Sequence, residues 1–235
     1  MIEDDVPASA ATAPAAVFIL AFDDCDQLDV TGPLEILSTL VQWLGVTLDL
    51  RIVSVPGTTD DPSGMVRAAN GLRFMSEPWD GTDLPDVLIV AGGIFVKPGT
   101  NDPAGIGLQS TNPAFTGAIA KQYAAKRLVT SVCTGAFGVV GARIARDHTI
   151  TTHPGVLQQL RDFAAGLGEE LTVIDPDDGA RVVDNGDLIT CGGVTSGIDE
   201  ALYLVQKLWS DALAGSVRGW VDYPYQFASK IIPGS

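Results

Sequence analysis

One thiol in this chain sits where a thiol can react. In Leu128–Gly135, LVTSVCTG, an apolar, β-branched run ends at Cys133, and a small-residue helical pattern follows. At a strand-to-helix junction the sulfur would meet the free N–H groups and the positive dipole end of the helix, which favour a thiolate. A tight turn there would also expose the sulfur, as in the nucleophile elbow of hydrolases. The alternative is a small buried core residue, because free cysteine is among the most buried side chains. Position by itself leaves both readings open.

Two other stretches end strands in unusual residues. Gly92 and Gly93 follow the apolar run DVLIVA. Glycines there let backbone N–H groups approach a ligand closely, and the amides of Gly93 and Thr134 are candidate oxyanion-type donors. A tight turn explains the same glycines without any ligand. Asp29 lies in QLDVTGP, just before a helix that Thr31-Gly32-Pro33 would open. Its carboxylate either caps that helix or faces Cys133 as a general acid or base. Asp23, Asp24 and Asp26 read as solvated loop residues.

The elements that must position these groups alternate along the chain. Buried-strand patterns at Ala16–Phe22, Thr47–Val55, Asp86–Ala91 and Leu128–Val132 are separated by helical patterns at Thr31–Gly45, Pro113–Arg127 and Thr134–Ala145. Further strands follow in ELTVI and in ARVVDNGDLITCGG, and a long helix in SGIDEALYLVQKLWSDALAG. Asn70-Gly71 and Asn185-Gly186 mark hairpin turns. Continuous apolar strands alternating with helices predict an α/β fold, with a mainly parallel sheet covered on both faces. Functional crevices in such sheets lie beyond the carboxyl ends of the strands. FDDCDQLDVTGP, VAGGIF and SVCTG are therefore expected to meet at one rim. Gly135, Gly138 and Gly141 recur at every third position. Glycine costs roughly 1 kcal/mol per helical position, so close packing of that helix must offset it.

Bulk composition narrows the function classes. The 235 residues are 46% hydrophobic, enough for one core, and no apolar run is long enough to span a bilayer. Residues 1–14, MIEDDVPASAATAP, read as a frayed tail and 15–235 as a single domain. A net charge of −15 repels phosphate backbones, so no nucleic-acid partner is expected, and no membrane partner either. Cys25, Cys133 and Cys191 are an odd, widely spaced set, which fits a reducing cytoplasm better than a disulfide framework. With two histidines and no CxxC pair, no metal site is expected.

With these stretches in hand, the sequence resembles the ThiJ/PfpI superfamily, relatives of class I glutamine amidotransferases. The carrying residues are QLDVTGPLEIL, DVLIVAGG, VTSVCTGAFGVVGA, TTH, VVDNGDLITCGGVTSGIDEAL and VDYPYQFAS, in the family's order from Ala16 to about Phe227. The resemblance implies a flavodoxin-like three-layer sandwich, a homodimer, no cofactor, and Cys133 as nucleophile at a strained elbow. Protease-type members place a histidine directly after the cysteine, whereas Thr134 stands here. Asp29 stands where many members carry a glutamate. Asp29 with Cys133-Thr134 resembles the isocyanide hydratases, which implies a small isocyanide substrate. The chain departs from that group at Pro154 and Cys191. His153 matches a family position, with a structural hydrogen-bonding role expected. Val194 is expected as an apolar wall near the sulfur. Cys191 is expected to pack.

Related stretches also occur in the sensor halves of AraC-like regulators. Only about twenty residues follow the last long helical pattern, too few for their DNA-binding domain. Two other classes compete with a hydratase: a non-catalytic thiol redox sensor or ligand-binding domain, and another Cys-dependent, hydrolase- or glyoxalase-like enzyme.

Overall fold

The apolar runs pair as their pattern predicts. The computed structural model describes residues 13–176, 181–224 and 231–233. β1 (Ala16–Leu20) leads into α1 (Gln27–Gln42), and β2 (Asp49–Ser54) returns beside β1. A hairpin, β3 (Met65–Arg67) and β4 (Arg73–Met75), and a short strand, β5 (Glu77–Pro78), precede β6 (Val87–Val90). Helices α2 (Gly105–Gln109) and α3 (Pro113–Ala124) lead to β7 (Leu128–Ser131), a 3-10 turn (Cys133–Gly135) and α4 (Ala136–Gly141). The short strands β8 (Thr149–Ile150) and β9 (Thr172–Val173) flank α5 (Leu157–Gly166). β10 (Val182–Asp184) and β11 (Leu188–Cys191) form an antiparallel hairpin. The helices α6 (Ser196–Leu208) and α7 (Asp211–Trp220) and the strand β12 (Ile231–Pro233) close the fold.

The main sheet runs β12-β10-β11-β7-β6-β1-β2-β5, parallel except between β10 and β11. β1, β6 and β7 lie side by side at its centre, and every residue of β6 is buried. Such strands can be continuous in Val, Ile and Leu because helices cover both faces. One helical layer joins α1, α6 and α7; the other joins α2, α3, α4 and α5. The result is the three-layer α/β sandwich expected from the sequence. The order reverses at β1, whose neighbours are β2 and β6. The chain therefore leaves β1 and β6 in opposite lateral directions, which opens a crevice at their carboxyl ends.

Three elements depart from the sequence reading. First, α1 starts at Gln27 rather than near Thr31, and Pro33 lies inside it. Asp26, read as a solvated loop residue, is its N-cap: Oδ1 accepts the Leu28 N–H at 2.9 Å. Asp23 is also engaged, accepting the amides of Asp60 and Arg67. Second, the long C-terminal helix is two. Ser210 is extended, and its hydroxyl accepts the Leu213 N–H at 3.1 Å, capping α7 and letting it pack on both α1 and α6. Third, the helix after Cys133 stops at Gly141, four residues early, and opens with a 3-10 turn.

The glycine spacing in that helix has the expected cause. A Cβ on Gly135 would meet the Val90 carbonyl oxygen at 2.4 Å, and one on Gly141 the Ser110 carbonyl oxygen at 2.0 Å. On Gly138 it would meet the Phe115 ring at 2.9 Å. The helix thus lies against the end of β6 on one side and against α3 and the turn before it on the other. That approach fixes where Cys133 sits.

Both hairpins form where Asn-Gly predicted them. Gly71 and Gly186 adopt φ of 97° and 94°, values that glycine reaches without a Cβ clash. The β3–β4 hairpin is tied to the site, since Asn70 Nδ2 donates to Asp26 Oδ2 at 3.0 Å. The expected frayed tail falls almost wholly outside the described residues, as does part of VDYPYQFAS.

Candidate active site

Cys133 is held in a conformation it would not choose. Its φ is 57°, in the left-handed region that costs a non-glycine residue roughly 1–2 kcal/mol. Hydrogen bonds on both sides hold it there. Its N–H donates to the Gly192 carbonyl at 3.0 Å, and its own carbonyl accepts the Thr152 hydroxyl at 2.8 Å. The Gly135 N–H closes the turn onto the Val132 carbonyl at 2.8 Å. Strained residues held by their surroundings cluster at active sites and ligand clamps. The core-cysteine reading accounts for the burial, with the residue 5% exposed, but not for the strain.

The sulfur faces three groups. The backbone amides of Thr134 and Val194 donate towards it, and the Asp29 carboxyl lies against it. Burial, then the Asp29 charge, raise the thiol to about 12, while the two amides pull the other way. Val194 is itself strained, with φ of 22°. The sequence reading expected its side chain as an apolar wall near the sulfur, whereas it is the backbone N–H that faces the sulfur.

Asp29 does not cap a helix. It sits in the first turn of α1, fully buried, and its Oδ2 accepts the Gly92 N–H at 3.0 Å. Its Oδ1 is buried without a hydrogen bond of full geometry. Burial, then the nearby Asp26 charge, push its pKa well above the ordinary carboxylate range, opposed by the Gly92 amide and the Cys133 thiol. Carboxyl and thiol are both lifted and both in contact. The titration of each therefore depends on the state of the other.

Gly92 is required by this crowding. A Cβ there would stand 2.6 Å from Thr134 Oγ1 and 2.7 Å from Asp29 Oδ2. Gly93 serves differently from the expectation. Its N–H donates to Thr134 Oγ1 at 2.7 Å, and that hydroxyl donates back to the Gly93 carbonyl at 2.8 Å. The Gly93 amide is thus already engaged, and the two donors aimed at the sulfur are Thr134 and Val194. The reciprocal Thr134–Gly93 bonds lock the β6 and β7 loops together.

His153 stands at the edge of the site. Its Nδ1 accepts the Gly155 N–H at 3.0 Å, capping the 3-10 turn Pro154–Val156. The ring lies so close to Gly193 that a Cβ there would meet Cδ2 at 2.7 Å. This is the structural role expected of it, and Pro154 supports it by starting the capped turn. Cys191 is fully buried, as expected of a packing residue.

Sequence reading missed Glu200. It is 1% exposed on the inner face of α6 and faces Cys191 and Thr130. Burial pushes its pKa up to about 8. The helical period held the clue: Gly197, Ala201, Leu204 and Val205 form the buried stripe, and Glu200 falls inside it.

Among the described residues no group of histidine, cysteine or carboxylate side chains is arranged to hold a metal ion. No helix among them is long and apolar enough to cross a membrane.

Comparison with known proteins identifies the family. A curated relative, isonitrile hydratase from Pseudomonas putida, is 34% identical over 207 residues, covering 87% of this chain and 76% of its own. The Parkinson disease protein 7 homolog of Danio rerio is 26% identical over 133 residues, covering 57% of this chain and 61% of its own. Among solved structures, a ThiJ/PfpI family protein from Pseudomonas syringae superposes with a TM-score of 0.71 at 20% identity, over 92% of this chain and 77% of its own. Schizosaccharomyces pombe DJ-1 gives 0.67 at 18% identity, over 89% of this chain and all of its own. Likeness at that identity shows the fold. The model of the DJ-1/PfpI family matches residues 15–207, most of the chain and every residue of the site just described, so the chain belongs to the DJ-1/PfpI family.

Proposed function

We propose that the protein hydrates an organic isonitrile to an N-substituted formamide, with Cys133 as nucleophile and Asp29 as the acid and base. The observation that carries this reading is the buried contact between the strained Cys133 thiol and the Asp29 carboxyl. The 34% identity to an isonitrile hydratase supports the substrate class. So does access, because a nucleophilic residue only 5% exposed suits a slender group ending in a bare carbon.

The steps balance with one shared proton. The thiolate adds to the terminal carbon while Asp29 gives that carbon its proton, leaving an S-bound thioimidate, R–N=CH–S. The Asp29 carboxylate then takes a proton from water as the hydroxide adds to the same carbon, and returns it to nitrogen. In the last step Asp29 accepts the hydroxyl proton as the C–S bond breaks. The formamide leaves, and the thiolate and protonated carboxyl are restored. The free Oδ1 is the oxygen available for these transfers, while Oδ2 stays anchored on the Gly92 amide. The Thr134 and Val194 amides stabilise the sulfur when it leaves as an anion. Gly93 fixes the Thr134 side chain, and His153 and Gly193 shape the entrance. The reaction requires no cofactor. A second chain enters the proposal as a homodimer partner, with no residue assigned to the chemistry.

The test is turnover. Purified protein is incubated with a simple alkyl and an aryl isonitrile, and the formamide is identified by mass. Product from the wild type and none from Cys133→Ala is expected. No product from either isonitrile, with methylglyoxal or a peptide turned over instead, would overturn the reading in favour of another Cys-dependent activity.

A further inference from the structure

Two of the contacts on Cys133 come from the loop 192–195. The Gly192 carbonyl accepts the Cys133 N–H at 3.0 Å, and the Val194 N–H faces the sulfur. Val194 holds a φ of 22°, and such strain persists only where the surroundings over-determine it. The restraint comes from one residue outside the site. Arg181, just before β10, grips the loop at both ends. Its backbone carbonyl accepts the Gly192 N–H at 3.0 Å, and its Nη2 donates to Thr195 Oγ1 at 3.2 Å.

Thr195 is put to an uncommon use. It is the N-cap of α6, yet its side chain makes no capping hydrogen bond. Asp26, Asn112 and Ser210 cap α1, α3 and α7 in the ordinary way. The Thr195 hydroxyl instead accepts from Arg181. Two further residues aim the guanidinium. Its Nε meets Oδ2 of Asp199, in the first turn of α6, and the Tyr223 hydroxyl donates to Asp199 Oδ1 at 3.1 Å. The Asp199 side chain is 2% exposed, against 25% for that of Arg181. The carboxylate is thus the buried anchor, and the guanidinium reaches out from it to the loop. A planar fork of donors holds two such bonds in fixed directions, which an ammonium does not. Tyr223 belongs to VDYPYQFAS, a stretch to which the proposed chemistry assigns no role.

We propose that Arg181 is a positioning residue: oriented by Asp199 and Tyr223, it clamps the loop 192–195 so that the Val194 N–H stays on the Cys133 sulfur. With the clamp open, Val194 is free to leave its strained φ, and the thiolate loses one of its two donors. The proposal rests on the reading of Cys133 as the reacting thiol, but its test does not use isonitrile turnover.

The Thr195 hydroxyl is the link to cut, because the residue is exposed and its loss leaves the Arg181–Asp199 pair whole. Removing Arg181 outright would strand the buried Asp199 carboxylate. The rate of Cys133 alkylation by iodoacetamide is measured against pH in the wild type, Thr195→Val, Thr195→Ser and Arg181→Lys, with the modified cysteine assigned by peptide mass. Thr195→Val and Arg181→Lys should move the profile to higher pH, lowering the rate on its rising limb by about two- to tenfold, the reach of one hydrogen bond. Thr195→Ser, which keeps the hydroxyl, should follow the wild type. A Thr195→Val profile that superimposes on the wild type, whatever its Tm, would overturn the proposal. So would a Thr195→Ser profile displaced as far as that of Thr195→Val, or a folded Arg181→Lys with the wild-type profile. If Arg181→Lys does not fold, the two Thr195 variants decide. Failure of isonitrile turnover with the displacement intact would sink the hydratase reading alone.

Discussion

Cys133 and Asp29 are each unfavourable residues in isolation, and the proposed chemistry rests on their contact. The sulfur pays a backbone strain for its position, and the carboxyl is buried with one oxygen unbonded. Removing the proton carrier while keeping its shape tests this directly. Asp29→Asn should fold and still accept the Gly92 amide, while turnover of isonitrile falls by roughly 10²–10⁴-fold. Full activity in that variant would remove the proton-relay role. Gly92→Ala should also lose most activity, because its methyl group would fall 2.6 Å from Thr134 Oγ1 and 2.7 Å from Asp29 Oδ2. A Gly92→Ala enzyme with unchanged kcat would show that the two side chains can move apart without consequence. The identities of these residues were legible in the sequence, since strand ends in a parallel sheet are where such groups gather. Their hydrogen bonds were not. Whether the Gly93 amide is open or engaged depends on one Thr134 rotamer, and no periodicity encodes that.

At the scale of elements, the site depends on how tightly the turn after β7 is pressed onto β6. Gly135 and Gly141 meet carbonyl oxygens, which cannot give way as a flexible side chain can. Gly141→Ala should therefore lower thermal stability by roughly 1–3 kcal/mol, read as a fall in Tm. Gly215→Ala, at a helical glycine with open space around its Cβ position, should not lower it. Equal Tm values for the two variants would contradict the packing account. The three-residue spacing foretold this packing. The start of α1 and the division of α6 from α7 were harder to see. Asp26 and Ser210 are caps, but each stands in a polar cluster where several residues qualify, and tertiary contacts decide which one is used.

For the molecule as a whole, sheet order explains why residues far apart in the chain meet. Asp29 follows β1, Gly92 follows β6, Cys133 follows β7 and Val194 follows β11, and all four loops leave the same edge of one sheet. The strand–helix alternation foretold that edge and the class of fold. Glu200 went unseen because a charged residue inside a buried stripe reads as the edge of the polar face until the helix is docked. Its burial has a consequence for the whole fold. A folded-state pKa raised from 4.5 to about 8 means the native protein holds a proton that the unfolded chain gives up. The associated stability is complete below the unfolded value and is lost as pH rises through about 8. Asp29 adds in the same direction. Tm should accordingly fall as pH rises from about 5 to 8, and Glu200→Gln should flatten that slope; an unchanged slope would show that Glu200 is not buried as the neutral acid. The central claim concerns the thiol, and intact-mass analysis of protein quenched during reaction with an isonitrile tests it most directly. The account predicts a transient species heavier by one isonitrile, mapped to Cys133 in the wild type and much reduced in Asp29→Asn, which lacks the proton for the first addition. Formamide formed without any adduct on Cys133, or formed equally well by Cys133→Ala, would contradict it.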